Sequence, residues 1–243
     1  MRDPAPPRPR PEPAADAAPT VTRGGYPVWS ESWAGVELRF AGRGPERTRD
    51  ETLAAIEPQG GEQAPPVAAL RQVHSARVVT VATPGPHGEG DALVTTARRL
   101  ALSVITADCV PVLVATPAAV AAIHAGWRGL AAGVIPAALR ELPGLAGGAR
   151  AWLGPAIGAC CYEVSEEVAD EVTAASASEV AVPGPAGRPH LDLRRAAALQ
   201  LAAAGVEPVL ALGPCSRCHP ELSWSYRREG RAAGRNIAYV WRR

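Results

Sequence analysis

The sequence predicts a single α+β domain of mixed α and β structure, and three observations carry that prediction. Short β-branched runs separated by turn residues crowd the middle of the chain. Several longer stretches carry helix composition with capping residues at their ends. No repeat and no internal linker breaks the pattern after Val67. A length of 243 residues, 47% hydrophobic and 20% charged, is ample for a real core.

Residues 1–24 hold Pro, Ala, Arg and acids with nothing to bury, and read as a disordered tail ahead of one domain over 25–243. Order is expected to begin at 26–40 ("YPVWSESWAGVELRF"), where Trp29, Trp33, Val36, Leu38 and Phe40 give an apolar, strand-like pattern. The polar stretch 42–66 contains one short helical candidate at 48–56. The runs at 77–83, 91–95, 100–106, 110–116 and 119–125 read as strands, several so continuously apolar that both faces are expected to be buried. Residues 129–142 read as one helix with Pro136 as a bend or boundary. A strand is expected at 149–158, then a helix at 165–175 with Ser165 as N-cap and acids in its first turn. A further helix at 191–205 ends on Gly205, and strands at 207–213 and 235–243 close the chain.

All 25 basic residues are Arg, balanced by 24 acidic ones, so no basic face for nucleic acid or membrane is expected. Arg8, Arg10 and Arg23 are too sparse for a nucleic-acid arm. Residues 1–20 lack the apolar stretch of a signal peptide, and no run approaches the roughly 18 apolar residues of a membrane span. A reduced, cytoplasmic location is the expectation.

The five cysteines include the adjacent Cys160 and Cys161, and Cys215 and Cys218 in "GPCSRCHPEL". With His219 the latter has the spacing of c-type haem attachment, and Cys-x-x-Cys alone is half a zinc site or a redox pair. Among the five histidines, His87 lies in the Gly-rich 84–91, read as a flexible loop, and His190 precedes a helix it can help to order. His74, Cys109 and His124 each stand at the end of an apolar run. A histidine on an apolar strand is more often a satisfied core residue than a ligand. Two imidazoles and a thiolate converging at one sheet edge, though, suit Zn²⁺, and leave a fourth position for water as catalytic zinc sites do. The Gly-rich "HAGWRGLAAG", Arg128, and Arg227, Arg228, Arg231 and Arg235 offer donors to an anion beside the metal.

The segments "LRQVHSARVV", "GDALVTT", "TADCVPVLV", "AAIHAGWRGLAAGVI", "LGPAIGACCYEV" and "CSRCHPELSWSYRREGRAAGRNIA" strongly resemble the laccase-domain, YfiH-like family, once labelled multicopper polyphenol oxidases. The likeness runs in order from about Leu70 to Ile237. It implies a layered sandwich of mixed β-sheets flanked by helices. It also implies one metal, held by the histidine of "QVH", the cysteine of "ADC" and the histidine of "HAGW", here His74, Cys109 and His124. Zn²⁺, one per chain, is expected, with copper as the alternative. The implied activity is phosphorolysis of adenosine, inosine, guanosine and methylthioadenosine, with deamination of adenosine. The alternatives are an amidase editing peptidoglycan precursors, and an inactive metal-binding relative. Purine nucleoside and phosphate are the expected partners of a monomer or homodimer, with Arg43, Arg128, Arg227 and Arg228 as the phosphate-binding candidates. The family carries "CTxC" where this chain has "CSRC", so His219 completes a haem-like pattern by coincidence, and neither haem nor a second zinc is implied. The segment 40–56 is shorter than its family counterpart, although Phe40, Arg43 and Gly44 align.

Overall fold

The structure, a computed structural model, describes residues 18–21, 25–45 and 65–243. Its strands are β1 (Thr20–Val21), β2 (Pro27–Trp33), β3 (Val36–Ala41), β4 (Val67–Arg71), β5 (Val78–Thr80), β6 (Gly85–Glu89), β7 (Ala92–Thr95), β8 (Ala101–Thr106), β9 (Val110–Ala115), β10 (Val120–Ala125), β11 (Arg150–Leu153), β12 (Ala181–Pro183), β13 (Pro189–Leu191), β14 (Val209–Ala211) and β15 (Asn236–Arg242). The helices are α1 (Trp127–Ala131), α2 (Val134–Glu141), α3 (Glu166–Ala174), α4 (Leu193–Ala203) and the one-turn α5 (Tyr226–Glu229). Seven strands form one mixed sheet in the order β1-β2-β3-β15-β8-β4-β6, six form a second in the order β14-β11-β9-β10-β7-β5, and β12 and β13 pair separately.

Residue parity explains how these layers stack. Along β9 and β10, Val110, Val112, Val114, Ala121, Ile123 and Ala125 face a core completed by Leu130 of α1, Val134, Ile135 and Ala138 of α2, Val172 of α3 and Leu201 of α4. Their alternates Leu113, Ala115, Val120 and Ala122 face the other sheet, against Leu38, Phe40, Leu102, Val104 and Val240. Strands buried on both faces need apolar residues at every position, which is why these runs show no alternation. The result is sheet on sheet, with helices on the outer face of the six-stranded sheet, in agreement with the expected α+β sandwich.

Several local expectations change. The apolar pattern at 26–40 is a hairpin rather than one strand: Ala34 (φ 49°) and Gly35 (φ 78°) take the left-handed conformations of a tight two-residue turn between β2 and β3. The helix expected over 129–142 is two, α1 and α2. The break falls at Gly133, at φ 78°, and not at Pro136, which sits in the first turn of α2 where a missing N–H removes no helical bond. The stretch 84–91 is not a flexible loop: Gly85–Glu89 within it form β6, parallel to β4, with His87 Nε2 2.8 Å from the carbonyl of Thr83. Of the tail expected over 1–24, Thr20–Val21 pairs with β2 as β1, through backbone hydrogen bonding that needs no apolar side chain. The rest of that tail and the helical candidate at 48–56 lie outside the described residues, apart from Ala18 and Pro19. Ser165 does cap α3, accepting from the Val168 amide, and Gly205, at φ 78°, follows the end of α4. Among the described residues no helix is long and apolar enough to cross a membrane.

Candidate metal centre

His74, Cys109 and His124 come together, their donor atoms all within 4.8 Å of one another. They converge at a seam between the two sheets rather than at one sheet edge. His74 follows β4 of the seven-stranded sheet. Cys109 sits where the chain crosses from β8 in that sheet to β9 in the other, and His124 lies near the end of β10 in the six-stranded sheet. His124 shares the parity of Val120 and Ala122, so its imidazole points into the layer between the sheets and is only 3% exposed. A ring so placed needs a polar partner.

That partner is Asp91. β7 pairs with β10 so that Ala92 faces Ile123. One step further, Asp91 sits opposite His124, whose amide donates to the Asp91 carbonyl at 2.7 Å. The fully buried Asp91 carboxylate receives His124 Nδ1 at 2.8 Å on Oδ1, leaving Nε2 of that ring for the site. The same oxygen accepts from the His74 amide at 2.9 Å. Oδ2 accepts from the Ser75 amide at 2.6 Å and the Ser75 hydroxyl at 2.7 Å. One carboxylate thus orients one imidazole by its ring and the other by its backbone, holding His74 at φ 60°. Gln72 fixes the same loop to β8, donating to the Ile105 carbonyl at 2.7 Å and accepting from the Ile105 amide at 2.9 Å. Sequence reasoning passes over Asp91 because "GEGDALVT" reads as a turn before a strand; an acid ahead of a fully apolar strand was the available signal.

The charges match a cation. Burial works against ionisation of Asp91, but His124 and the Ser75 donors outweigh it and lower the carboxyl to about 2. Burial likewise opposes the Cys109 thiolate, and hydrogen bonds from His124 and His74 outweigh it, bringing the thiol down to about 6. Burial opposes the His124 imidazolium in turn, and Asp91 and Cys109 raise it to about 9. Asp91 and Cys109 thus set negative charge on both sides of the His124 ring. His74 Nε2 lies 3.9 Å from Cys109 Sγ, and the two imidazole rings meet edge to face with centroids 4.8 Å apart. Gly126 makes this closeness feasible, since a Cβ there would lie 3.0 Å from both Cys109 Sγ and His74 Cδ2. Two imidazoles and a thiolate, with an exposed His74 leaving one side open, fit a three-ligand metal centre.

Asp108, at φ 94°, sets the adjoining wall. It accepts from the Ser216 hydroxyl at 2.7 Å and from the Arg227 amide at 2.6 Å. Tyr162 stands nearby: burial first, then the Cys109 charge, push its phenol up to about 12, against the pull of Arg227 and Arg128.

The four arginines divide into two pairs. Arg43 contacts Glu229 at 2.5 Å and lies over the Trp224 ring at 3.9 Å. Arg228 donates to Glu229 and to the carbonyls of Ser216, Arg217 and Ser223. Arg128 and Arg227 are exposed, rest over the rings of Trp127 and Tyr162, and have no carboxylate partner among the described residues. His219 turns to Glu221 at 3.2 Å, and His190 to the Ala159 carbonyl at 2.6 Å. Cys215 and Cys218 of "CSRC" are not an isolated half-site, since Cys160 and Cys161 meet them in a second group of four thiols.

A two-sheet α+β scaffold with a His-Cys-His cluster oriented by a buried aspartate defines the class: a domain with a candidate metal centre at its sheet seam. The chain belongs to the family described as multi-copper polyphenol oxidoreductase laccase, whose model matches residues 22–243. It is 44% identical over 180 residues to purine nucleoside phosphorylase SCO2081 of Streptomyces coelicolor, covering 71% of this chain and 73% of that protein. It is 36% identical to purine nucleoside phosphorylase ORF3 of Streptomyces griseus, covering 91% of this chain and 96% of that protein. Among solved structures, Neisseria meningitidis protein NMB0706 superposes with a TM-score of 0.75 at 29% identity, covering 88% of this chain and 98% of that one.

Proposed function

We propose that this protein is a metal-dependent purine nucleoside phosphorylase, with zinc held by His74, Cys109 and His124. The observation that carries the reading is the aspartate-oriented His-Cys-His cluster flanked by two arginines without carboxylate partners among the described residues, in a chain whose curated relatives are named purine nucleoside phosphorylases. The donor set also matches a copper site, but such sites commonly add an axial Met, and the one methionine here is Met1.

When bound, zinc supplies Lewis-acid polarisation and water activation. The chain's own groups do the rest. Arg128 and Arg227 hold phosphate by forked, charge-assisted hydrogen bonds. Asp108 fixes the Arg227 backbone, so that guanidinium starts from a set position. Tyr162, its phenol pushed up to about 12, keeps its proton at neutral pH and is available as a hydrogen-bond donor to the substrate. In the reaction a phosphate oxygen bonds to ribose C1′, the C1′–N9 bond breaks with its electron pair going to the purine, and a proton from solvent or a neighbouring acid neutralises the base. The proposal extends to adenosine deamination at the same site, in which water adds at C6, ammonia leaves and no arginine clamp is required.

Product analysis tests this. Zinc-loaded protein given adenosine and phosphate should release adenine and ribose 1-phosphate in a phosphate-dependent manner, with inosine from the deaminating side reaction. Turnover to neither free base nor inosine would refute the reading.

A further inference from the structure

The thiol cluster is independent of the nucleoside reading. Cys160 and Cys161 lie in the turn after β11, where the amides of Cys161 and Tyr162 donate to the Gly158 carbonyl. Cys215 and Cys218 lie in the loop after β14. Parallel pairing of β11 with β14, continued by a bridge between Ala156 and Cys215, brings together residues more than 50 positions apart. The four sulfurs all lie within 4.8 Å of one another, with Cys218 Sγ 3.3 Å from Cys161 Sγ and 3.6 Å from Cys160 Sγ.

From this geometry we infer a second metal site: Cys160, Cys161, Cys215 and Cys218 bind one zinc ion as a closed, structural four-cysteine centre. Four ligands about 2.3 Å from a zinc ion stand about 3.8 Å apart at the corners of a tetrahedron, close to the spacings found. A disulfide would need about 2.05 Å. The backbone is arranged for thiolate as well. The Gly158 amide donates to Cys215 Sγ at 3.2 Å, and the amides of Cys218 and Arg217 also point to it. Arg217 is the cation beside the group, interacting with Cys161. Cys215 is buried while Cys160 and Cys218 are exposed, so the metal can enter from solvent. With four protein ligands no position remains for water or substrate, which makes the centre structural. Loading releases the thiol protons, so uptake is coupled to pH.

The position gives the centre a task. Ile157, just ahead of the first pair, donates its amide to the Asp108 carbonyl at 2.9 Å, and Ser216, inside the second pair, donates to the Asp108 carboxylate. Both segments that the ion would join therefore grip the residue preceding Cys109.

Metal analysis on reduced, zinc-saturated full-length protein tests the inference. Wild type should hold two zinc ions per chain, Cys109→Ala one, and Cys218→Ser one. A wild-type stoichiometry of one that Cys218→Ser leaves unchanged would overturn it. Should Cys218→Ser not fold, alkylation of Cys109→Ala decides. Zinc should protect Cys160, Cys161, Cys215 and Cys218 from iodoacetamide, and unchanged labelling of all four, or their recovery as disulfides from the zinc-loaded protein, would equally overturn it. None of these readouts depends on turnover, so failure of the nucleoside assignment leaves them standing.

Discussion

Replacing Asp91 with Asn keeps the side-chain shape and removes the charge. In the native protein Oδ1 takes His124 Nδ1 and the His74 amide, while Oδ2 takes the Ser75 amide and hydroxyl, with a longer contact of 3.3 Å from the Val73 amide. An asparagine oxygen can serve one of these two groups. Its NH₂ then faces the donors of the other, so at least one buried N–H loses its acceptor. Leaving such a group unsatisfied costs about 1–3 kcal/mol, so Asp91→Asn should lower unfolding free energy by an amount in that range. The metal centre should suffer more specifically, because the His124 tautomer and the His74 backbone are both set by this carboxylate. Loss of a partner of this kind typically weakens metal binding about 10- to 100-fold. Chelator competition measures that affinity, and denaturant unfolding measures stability on the same samples. Ser75→Ala, which removes one donor and keeps the carboxylate, should give a smaller loss on both. Native zinc affinity in folded Asp91→Asn would refute the assignment of Asp91 as the orienting group.

Other outcomes follow from the same geometry. Gly126→Ala leaves a permitted backbone (φ −76°) but places a methyl 3.0 Å from Cys109 Sγ and His74 Cδ2; zinc affinity should fall severalfold with little change in melting temperature. Arg227→Ala should raise the phosphate KM by roughly ten- to a hundredfold, the equivalent of a bidentate charged contact of about 1.5–3 kcal/mol, and leave deamination of adenosine nearly unchanged. Arg43→Ala should instead lower stability by about 1 kcal/mol through its ion pair and its place over Trp224, with phosphate KM unaltered. Glu229 sits with burial opposing its charge and Arg228 and Arg43 outweighing it, so its carboxyl is held below the ordinary glutamate value of 4.5. Its contribution to stability is therefore complete above that value and lost as pH falls beneath it; urea titrations of Glu229→Gln should show a shallower acid decline than wild type.

Much of the scaffold was legible because doubly buried strands leave a plain mark. The runs at 100–106, 110–116 and 119–125 became β8, β9 and β10 with small changes at their ends. Helix caps were legible where a side chain does the capping, as at Ser165. Breaks made by backbone conformation alone were harder, and Gly133 was masked by the more conspicuous Pro136. The His74, Cys109 and His124 cluster was legible by residue type and by likeness to a family, since its spacing follows no local rule. Asp91 was hidden because its role depends on a register between β7 and β10 that one sequence does not display. The four-thiol cluster was hidden for the same reason: two cysteine pairs look like fragments until parallel strands bring them together.

Phosphorolysis by metal-loaded, metal-stripped and Cys109→Ala protein, measured as phosphate-dependent release of hypoxanthine from inosine, separates a metal-dependent phosphorylase from any other reading of the site. Turnover is expected in the loaded enzyme, with its loss on stripping, its return on adding zinc, and none in Cys109→Ala. Equal turnover in stripped protein, or full turnover in Cys109→Ala, would contradict the metal-dependent reading.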